Sequence, residues 1–496
     1  MSTSTANPTP AGDQPQALTA AQKFLRDAAT KSADLGHREI IRKNMESYEA
    51  GHQRGRSRFK DWEAARYKCQ AIKREAVEHL DKYLLQFEEK VIARGGHVFW
   101  AANNEEACNY IKDLAVSRGV KTIVKSKSMV TEEMHLAPVL EAVGIKVWET
   151  DLGEYIVQLR NEAPYHIVTP AMHLDRHQIR ELFREKLGED IADADPQKMV
   201  ALARRKLREA FFAAEMGISG ANFLVADVGA VALTTNEGNG RLSTSLPRIH
   251  VAVTGIEKVI PRLEDLGTLW PVLATSGTGQ PITTYSTLIA GPKQAGEVDG
   301  PEEFHVVLLD NGRSGLLANA EEREVLTCIR CGACLNICPV YKNIGGHTYN
   351  TTYPGPIGSV LTPHLRGSEF EHLSYASSLC GACTSVCPVN INLHHHLLHN
   401  RRDFTIAAKG HSAERTQFKL FRTVMQHPRL YAFGGWMMRR SLRLLYGMGL
   451  AGTILDPMRA WSRKRTPVPL PEMSFRGLWK KELGKKELGG NSVGNK

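Results

Sequence analysis

The greasiest part of this chain lacks a run long enough to cross a membrane. After Arg439, Arg440 and Arg443 the longest uncharged run is only Leu444 to Leu455, well short of the ~20 residues a spanning helix needs. The opening residues, MSTSTANPTPAGDQPQ, have neither the basic start nor the apolar core of an export signal, so residues 1–16 read as a disordered tail and the cytoplasm is the expected compartment. No G-x-G-x-x-G fingerprint follows a strand-like run, which argues against hydride transfer by this chain alone. No zinc-finger or other nucleic-acid reading motif is present, and nucleic acid is not an expected partner. Nor does any Cys/His or Ser/His pairing at a recognisable spacing mark a nucleophile, so no catalytic residue is assigned. Cysteine is scarce outside one stretch: of nine, only Cys69 and Cys108 lie elsewhere, each in a helical pattern where a buried, inert thiol is the ordinary outcome.

The other seven fall between Thr327 and Asn390. TCIRCGACLNICPVY places Cys328, Cys331, Cys334 and Cys338 at the C-x2-C-x2-C-x3-C-P spacing that wraps three thiolates around one cubane and sends the fourth elsewhere. SLCGACTSVCPVN adds Cys380, Cys383 and Cys387, again followed by proline. Crossed ligation of the two-cluster ferredoxin kind assigns Cys328, Cys331, Cys334 and Cys387 to one [4Fe-4S] cluster. Cys338, Cys380 and Cys383 are left for a second. The position three residues before Cys380, where an eighth cysteine would stand, is Ser377. The second cluster is therefore expected to have a labile iron, a non-cysteine ligand or only three irons. Zinc favours sets of four ligands over this paired ladder. The run HHHLLH around His396 and His399 suggests no second metal, because successive helical residues point in different directions.

At 496 residues the chain exceeds one ordinary domain. Residues 17–94 carry helical periodicity uninterrupted by proline. From 95 to 316 short β-rich runs (HVFWA, TIVKS, KVWET, FLVADVGAVALTTN, RIHVAVTGIEKVI, PITTYSTLIAG, EFHVVLLD) alternate with helical ones such as NEEACNYIKDLAVSRG and EEMHLAPVLEAVG. That alternation predicts an α/β fold with a mainly parallel sheet. The cluster-bearing segment is expected over 317–400, opened by a helical lead from Leu317 to Leu326. A basic helical region with an extended, mobile end follows over 401–496. That last region holds 20 Lys and Arg against 6 Asp and Glu, so the 43 against 47 that remain leave everything before it slightly acidic. Such a basic, partly apolar region is expected to dock a partner protein or an anionic membrane surface.

Two loops of the α/β part carry a second reading. NEGNGRLS reads either as a simple turn or as a backbone cradle for an anion helped by Arg241, with Glu237 beside it. KSKSMVTEE, from Lys125 to Glu133, reads as a capped turn with Thr131 as cap, or as an anion site at a helix start.

The joint pattern of TCIRCGACLNICPVY, YPGPIG, SLCGACTSVCPVNI, ETDLGEYIVQL and TTNEGNGRLS resembles the lactate utilization protein B family, roughly over Leu35 to Phe475. The resemblance implies a lactate-utilization domain with a fold similar to sugar-phosphate isomerases and CoA transferases, followed by an α-helical two-cluster ferredoxin-type domain. The family also lacks the eighth cysteine, and its seven ligands fall on the cysteines assigned above. It implies electron transfer during oxidation of L-lactate to pyruvate, with a cysteine-rich companion subunit and a smaller lactate-utilization-domain subunit. The alternative is a stand-alone enzyme with its chemistry at Glu237, Arg241 or the Lys125 loop and accessory clusters.

Overall fold

Runs dense in Val, Ile and Leu form the middle of the molecule because they are buried on both faces. The computed structural model describes residues 18–407, 412–462 and 469–489. The ten strands are β1 (His97–Ala101), β2 (Thr122–Lys125), β3 (Lys146–Glu149), β4 (Met216–Ser219), β5 (Phe223–Val225), β6 (Ala230–Thr235), β7 (Ile249–Gly255), β8 (Val259–Ile260), β9 (Tyr285–Ile289) and β10 (Glu303–Leu309). Six of them make a sheet of order β1-β10-β7-β4-β2-β3, parallel at every pairing. The central strand β7 is buried at every residue, as a strand covered on both faces in a parallel sheet should be, and its one buried imidazole, His250, is bonded to the Ser219 hydroxyl at 2.8 Å. A second sheet, β8-β5-β6-β9, lies beside it and is antiparallel except between β5 and β8.

The helices begin where the sequence supplies caps. Thr19 and Gln22 form a capping box for Ala20–Ala33, Asp34 caps Leu35–Arg56, and Asp61 caps Trp62–Glu78. These helices do not stand apart from the cysteine-bearing segment. Phe24, Ile41, Met45 and Trp62 share one core with Leu335, Tyr341, Val360 and Leu397. Each such side chain, fully buried, contributes about 1.5–3 kcal/mol.

Several local expectations are corrected. EEMHLAPVLEAVG is two short helices, Met129–Glu133 and Leu136–Glu141, separated by His135 at a left-handed φ of 51°. Pro138 has no N–H to continue the first helix. The first of these is capped by Ser128, whose hydroxyl accepts from Thr131 N–H, so Thr131 is the capped residue. NEGNGRLS is a turn only over residues 236–238, and Asn239–Ser245 is a helix packed on β4. A Cβ on Gly217 would come 1.7 Å from the Ser243 carbonyl oxygen, so only glycine permits that approach. The lead into the first cysteine run is split between Arg313–Ala318 and a 3-10 turn, Arg323–Thr327.

Residues 405–496 form a second compact unit, with helices Ser412–Gln426 and Pro428–Gly447. Its end was expected to be extended, yet Phe475–Gly489 is helical. Ser474 caps it by accepting from Gly477 N–H. The expected tail at 1–16 and residues 463–468 of the expected mobile stretch lie outside the described residues. Among the described residues no helix is long and apolar enough to cross a membrane.

Candidate metal centre

The two cysteine runs fold into the same device twice. In each, a left-handed residue (Arg330, φ 59°; Leu379, φ 54°) precedes a cysteine, and a left-handed glycine (Gly332, φ 80°; Gly381, φ 78°) follows it. A short helix comes next, Ala333–Ile337 or Ala382–Val386, ending at Cys338 or Cys387. Holding a non-glycine residue left-handed costs about 1–3 kcal/mol, a strain found where function fixes the backbone. The turn aims backbone N–H groups at sulfur: Arg330 N–H donates to Cys328 Sγ at 3.4 Å and Ile391 N–H to Cys387 Sγ at 3.3 Å. Arg66, from the third helix, clamps the second run by donating twice to the Cys387 carbonyl, at 3.1 and 2.8 Å.

None of the seven sulfurs is in a disulfide, and Cys334, repelled by Cys331, Cys328, Cys383 and Cys387, lies where the two runs meet. Burial and then repulsion from Cys387 and Cys328 push the Cys331 thiol far up, and burial followed by Cys331 and Cys328 does the same to Cys334. Cys387 is raised to about 12 by burial and by Cys328. Cys383 is raised to about 11 by burial, then Cys338, with a further contribution from Cys380. Cys338, Cys380 and Cys383 line one cavity together with Ser377, Ser378 and His394. Buried thiols that cannot ionise alone, collected without disulfides, are the donor set that an iron–sulfur cluster satisfies by taking the protons' place. Cys69 and Cys108 lie elsewhere, both buried and both raised by burial, to about 12 and about 11.

A buried ionic network ties the first cysteine loop to the sheet. Arg313 donates through Nη2 to Glu133 at 2.8 Å and through Nε to Glu257 at 2.7 Å. Tyr353, from the connection between the cysteine runs, donates its hydroxyl to Glu133 at 2.7 Å. Arg330 reaches Glu257 at 3.4 Å and lies over the Tyr353 ring, 4.7 Å from its centroid. Lys73 donates to the Glu257 and Val259 carbonyls at 2.6 and 3.1 Å.

A cavity of about 420 Å³ opens between this loop and the α/β part, with Cys331, Arg330 and Lys258 in one wall and Lys127, Asp151 and Glu237 in its lining. Burial and the nearby Asp151 raise the Glu237 carboxyl to about 7. Arg241 lies over the Tyr285 ring instead, 5.6 Å from its centroid. In the Lys125 loop the Lys125 side chain itself has no charge to spare for an anion. Lys125 is buried and spent on three carboxylates, Glu149 at 2.8 Å, Glu132 at 3.0 Å and Glu154 at 3.7 Å.

The histidine run holds a feature that residue-by-residue reading missed. His396 and His399, three apart on Leu393–Ala407, both face Glu322, with Nδ1 atoms 3.0 and 3.3 Å from the carboxylate. Glu322 is fully buried, and the three groups could between them hold a metal ion. Spacing of three on a helix was the available signal. Burial depresses the His396 ring, but hydrogen bonds from Glu322 and Glu324 outweigh it and raise its pKa to about 9. The pair's stabilisation is thus complete below the ordinary value of 6.5 and lost as pH rises toward about 9. Melting temperature is expected to fall across that window, and His396→Gln to flatten the slope. Equal slopes in the two proteins would remove His396 as the cause.

Comparison with known proteins follows the same division of the chain. The LUD domain family matches residues 84–309, the 4Fe-4S dicluster domain family residues 324–391, and the family described as lactate utilisation protein B, C-terminal, residues 406–483. The dicluster match implies iron–sulfur clusters. Lactate utilization protein B of Geobacillus kaustophilus is 43% identical over 454 residues, covering 90% of this chain and 92% of its own. That of Geobacillus thermodenitrificans is 43% identical over 473 residues, covering 94% and 95%. That of Bacillus thuringiensis is 46% identical over 424 residues, covering 85% and 89%. A solved DUF162 family protein from Deinococcus radiodurans covers 46% of this chain and 98% of its own at 13% identity, with a TM-score of 0.26. With sequence identity of this order along nearly its whole length, and with an α/β LUD domain leading into a dicluster domain, the chain belongs to the lactate utilization protein B family.

Proposed function

We propose that this chain is the iron–sulfur electron carrier of a complex that oxidises L-lactate to pyruvate. The observation that carries the reading is the gathering of seven cysteines into two adjoining groups, in a chain whose relatives are named for lactate utilization. Cys328, Cys331, Cys334 and Cys387 would hold one cluster and Cys338, Cys380 and Cys383 the other. When bound, the clusters supply one-electron transfer, two such steps matching the two electrons lactate gives up. The chain's own residues do the rest. Ile329, Leu335 and Val389 exclude water around the sulfurs, the N–H groups of Arg330 and Ile391 bond to sulfur, and Arg66 fixes the second loop. The cytoplasmic compartment and the companion subunits belong to this reading. In the C-terminal unit Phe418, Phe421, Trp436 and Met437 are exposed, close in sequence to Arg439 and Arg440, and offer a surface for a companion subunit or an anionic membrane.

A cell lacking this chain is expected to fail to grow on L-lactate while growing normally on pyruvate. Unimpaired growth on L-lactate, in a strain with no second lactate oxidase, would sink the reading.

A further inference from the structure

The wall of the 420 Å³ cavity nearest the first cysteine loop carries more positive charge than its neighbours neutralise. Four cations, Lys73, Lys258, Arg313 and Arg330, surround two carboxylates there, Glu133 and Glu257. Arg313 is saturated by both carboxylates, and Lys73 by two carbonyls. Lys258 is only 6% exposed, lines the cavity, and makes no hydrogen bond or ion pair among the described residues. Arg330 gives one edge to Glu257 and leaves its buried Nη1 without a partner. Arg330 Nη1, buried without a partner, is costly to leave so unless something else meets it, and the Lys258 ammonium opens to the cavity beside it. Across the cavity Asn239 likewise has a buried, unpartnered Oδ1.

We infer that this cavity binds a small organic monocarboxylate, with its carboxylate between Lys258 and Arg330, beside Cys331. The volume is of ordinary ligand-pocket size, on the order of 300–1,000 Å³, and Ile167, Leu233 and Leu273 in the lining suit an organic body rather than a bare ion. Charge sets the valence. Arg330 already shares Glu257, so Lys258 leaves about one positive charge unmet, and Asp151 and Glu237 would repel a second negative group at their end. A hydroxyl there could donate to Asn239 Oδ1 or to Glu237. The placement would set the ligand next to a sulfur of the first cysteine group, where an electron carrier would sense it. The competing role for Lys258 is to offset cluster charge alone.

The inference rests on the lactate reading only in the choice of first probes. Anaerobically purified, cluster-loaded full chain is titrated by calorimetry with L-lactate, pyruvate, glycolate, acetate and inorganic phosphate. At least one carboxylate is expected to bind saturably, with Lys258→Met weakening it tenfold or more and Lys258→Arg retaining it within about threefold, as a charge-keeping replacement should. In the unmutated protein the same probe is expected to perturb the electron paramagnetic resonance signal of the reduced first cluster, which needs no variant to fold. No carboxylate binding, binding of phosphate alone, equal affinity in Lys258→Met, or a signal unchanged at saturating probe each overturns the assignment. A Lys258→Met protein whose reduction potential shifts while its affinity stays put would give the lysine to the cluster alone and also overturn it. Carboxylate binding combined with normal growth of the deletion strain on L-lactate would remove the pathway and leave the site.

Discussion

Arg313→Met is expected to cost about 3–5 kcal/mol of folding stability, the range found when one partner of a buried ion pair is removed. Against a total of about 5–15 kcal/mol for a typical domain, that is enough to leave much of the protein unfolded at growth temperature. The reason is geometric. Arg313 is 1% exposed and its guanidinium is shared by Glu133 and Glu257, themselves 4% and 1% exposed at the side chain. Methionine fills the volume but leaves two carboxylates buried without their main counter-charge. Burial pushes the Glu257 carboxyl up, but Arg313, Arg330 and Lys258 pull it down to about 2, so the group stabilises the fold above the ordinary carboxylate range and loses that contribution only as pH falls toward about 2. The Met variant should therefore be partly relieved by acid, where the wild type is not. Glu257 also holds Arg330, one residue before Cys331, so the first cysteine loop should loosen with it. The triple variant Arg313→Met, Glu133→Gln, Glu257→Gln should recover part of the loss, because the two carboxylates are no longer stranded although Arg330 then loses Glu257. Urea unfolding followed by circular dichroism measures all three, and a loss below about 1 kcal/mol in the single variant would show that water or another cation reaches the carboxylates.

That network was invisible in the sequence, and the reason is instructive. Glu133, Glu257, Arg313, Arg330 and Tyr353 belong to five separate segments and no local pattern relates them. Only the arginine inside CIRCGAC, an unusual place for a long charged side chain, hinted at a partner. The iron–sulfur segment was legible because the spacing of cysteines within each loop is set by chain geometry, and the dicluster family match covers both runs. The β-rich runs were legible because strands buried on both faces are mostly apolar, as Ile249, Val251, Ala252 and Val253 are in β7. Lys125 misled for the complementary reason: a lysine at a strand end reads as a free cation until Glu132, Glu149 and Glu154, two of them from other elements, close around it. Asn239–Ser245 misled because Asn and Gly signal turns locally, whereas packing of Gly240 against Leu233 and Thr235 and of Ser243 on Gly217 selects a helix. Tertiary contact overrode propensity there.

The two clusters are expected to differ in how long they keep their iron in air. Seven cysteines cannot give two cubanes four thiolates each, and the shortfall falls on the group of Cys338, Cys380 and Cys383. That group is also the less protected. Cys380 is exposed, and its thiol is lowered by the Ala382 backbone N–H and then by the Ser378 hydroxyl, whereas Cys331, Cys334 and Cys387 are buried. Ser377 lies in the same cavity wall, its hydroxyl accepting from Leu379 N–H at 3.0 Å. An oxygen is a poorer ligand for iron than a thiolate, and iron held at such a corner can leave without breaking a cysteine thiolate bond. Ser377→Cys should supply the missing thiolate. After anaerobic preparation and exposure to air, the wild type should lose iron from its second cluster first, while the variant holds it through the same oxidation. Iron release and the electron paramagnetic resonance of a three-iron product read the difference. His394 is the residue that could spoil it: its ring lines the same cavity, with Nδ1 engaged by the Thr384 hydroxyl at 2.7 Å and Nε2 left over. Equal rates of iron loss in the two proteins would mean that a strong ligand such as His394 already fills the eighth position, or that the crossed assignment of cysteines to clusters is wrong. His394→Ala with Ser377 retained separates those outcomes, since faster loss of iron from that single variant than from the wild type would point to the imidazole.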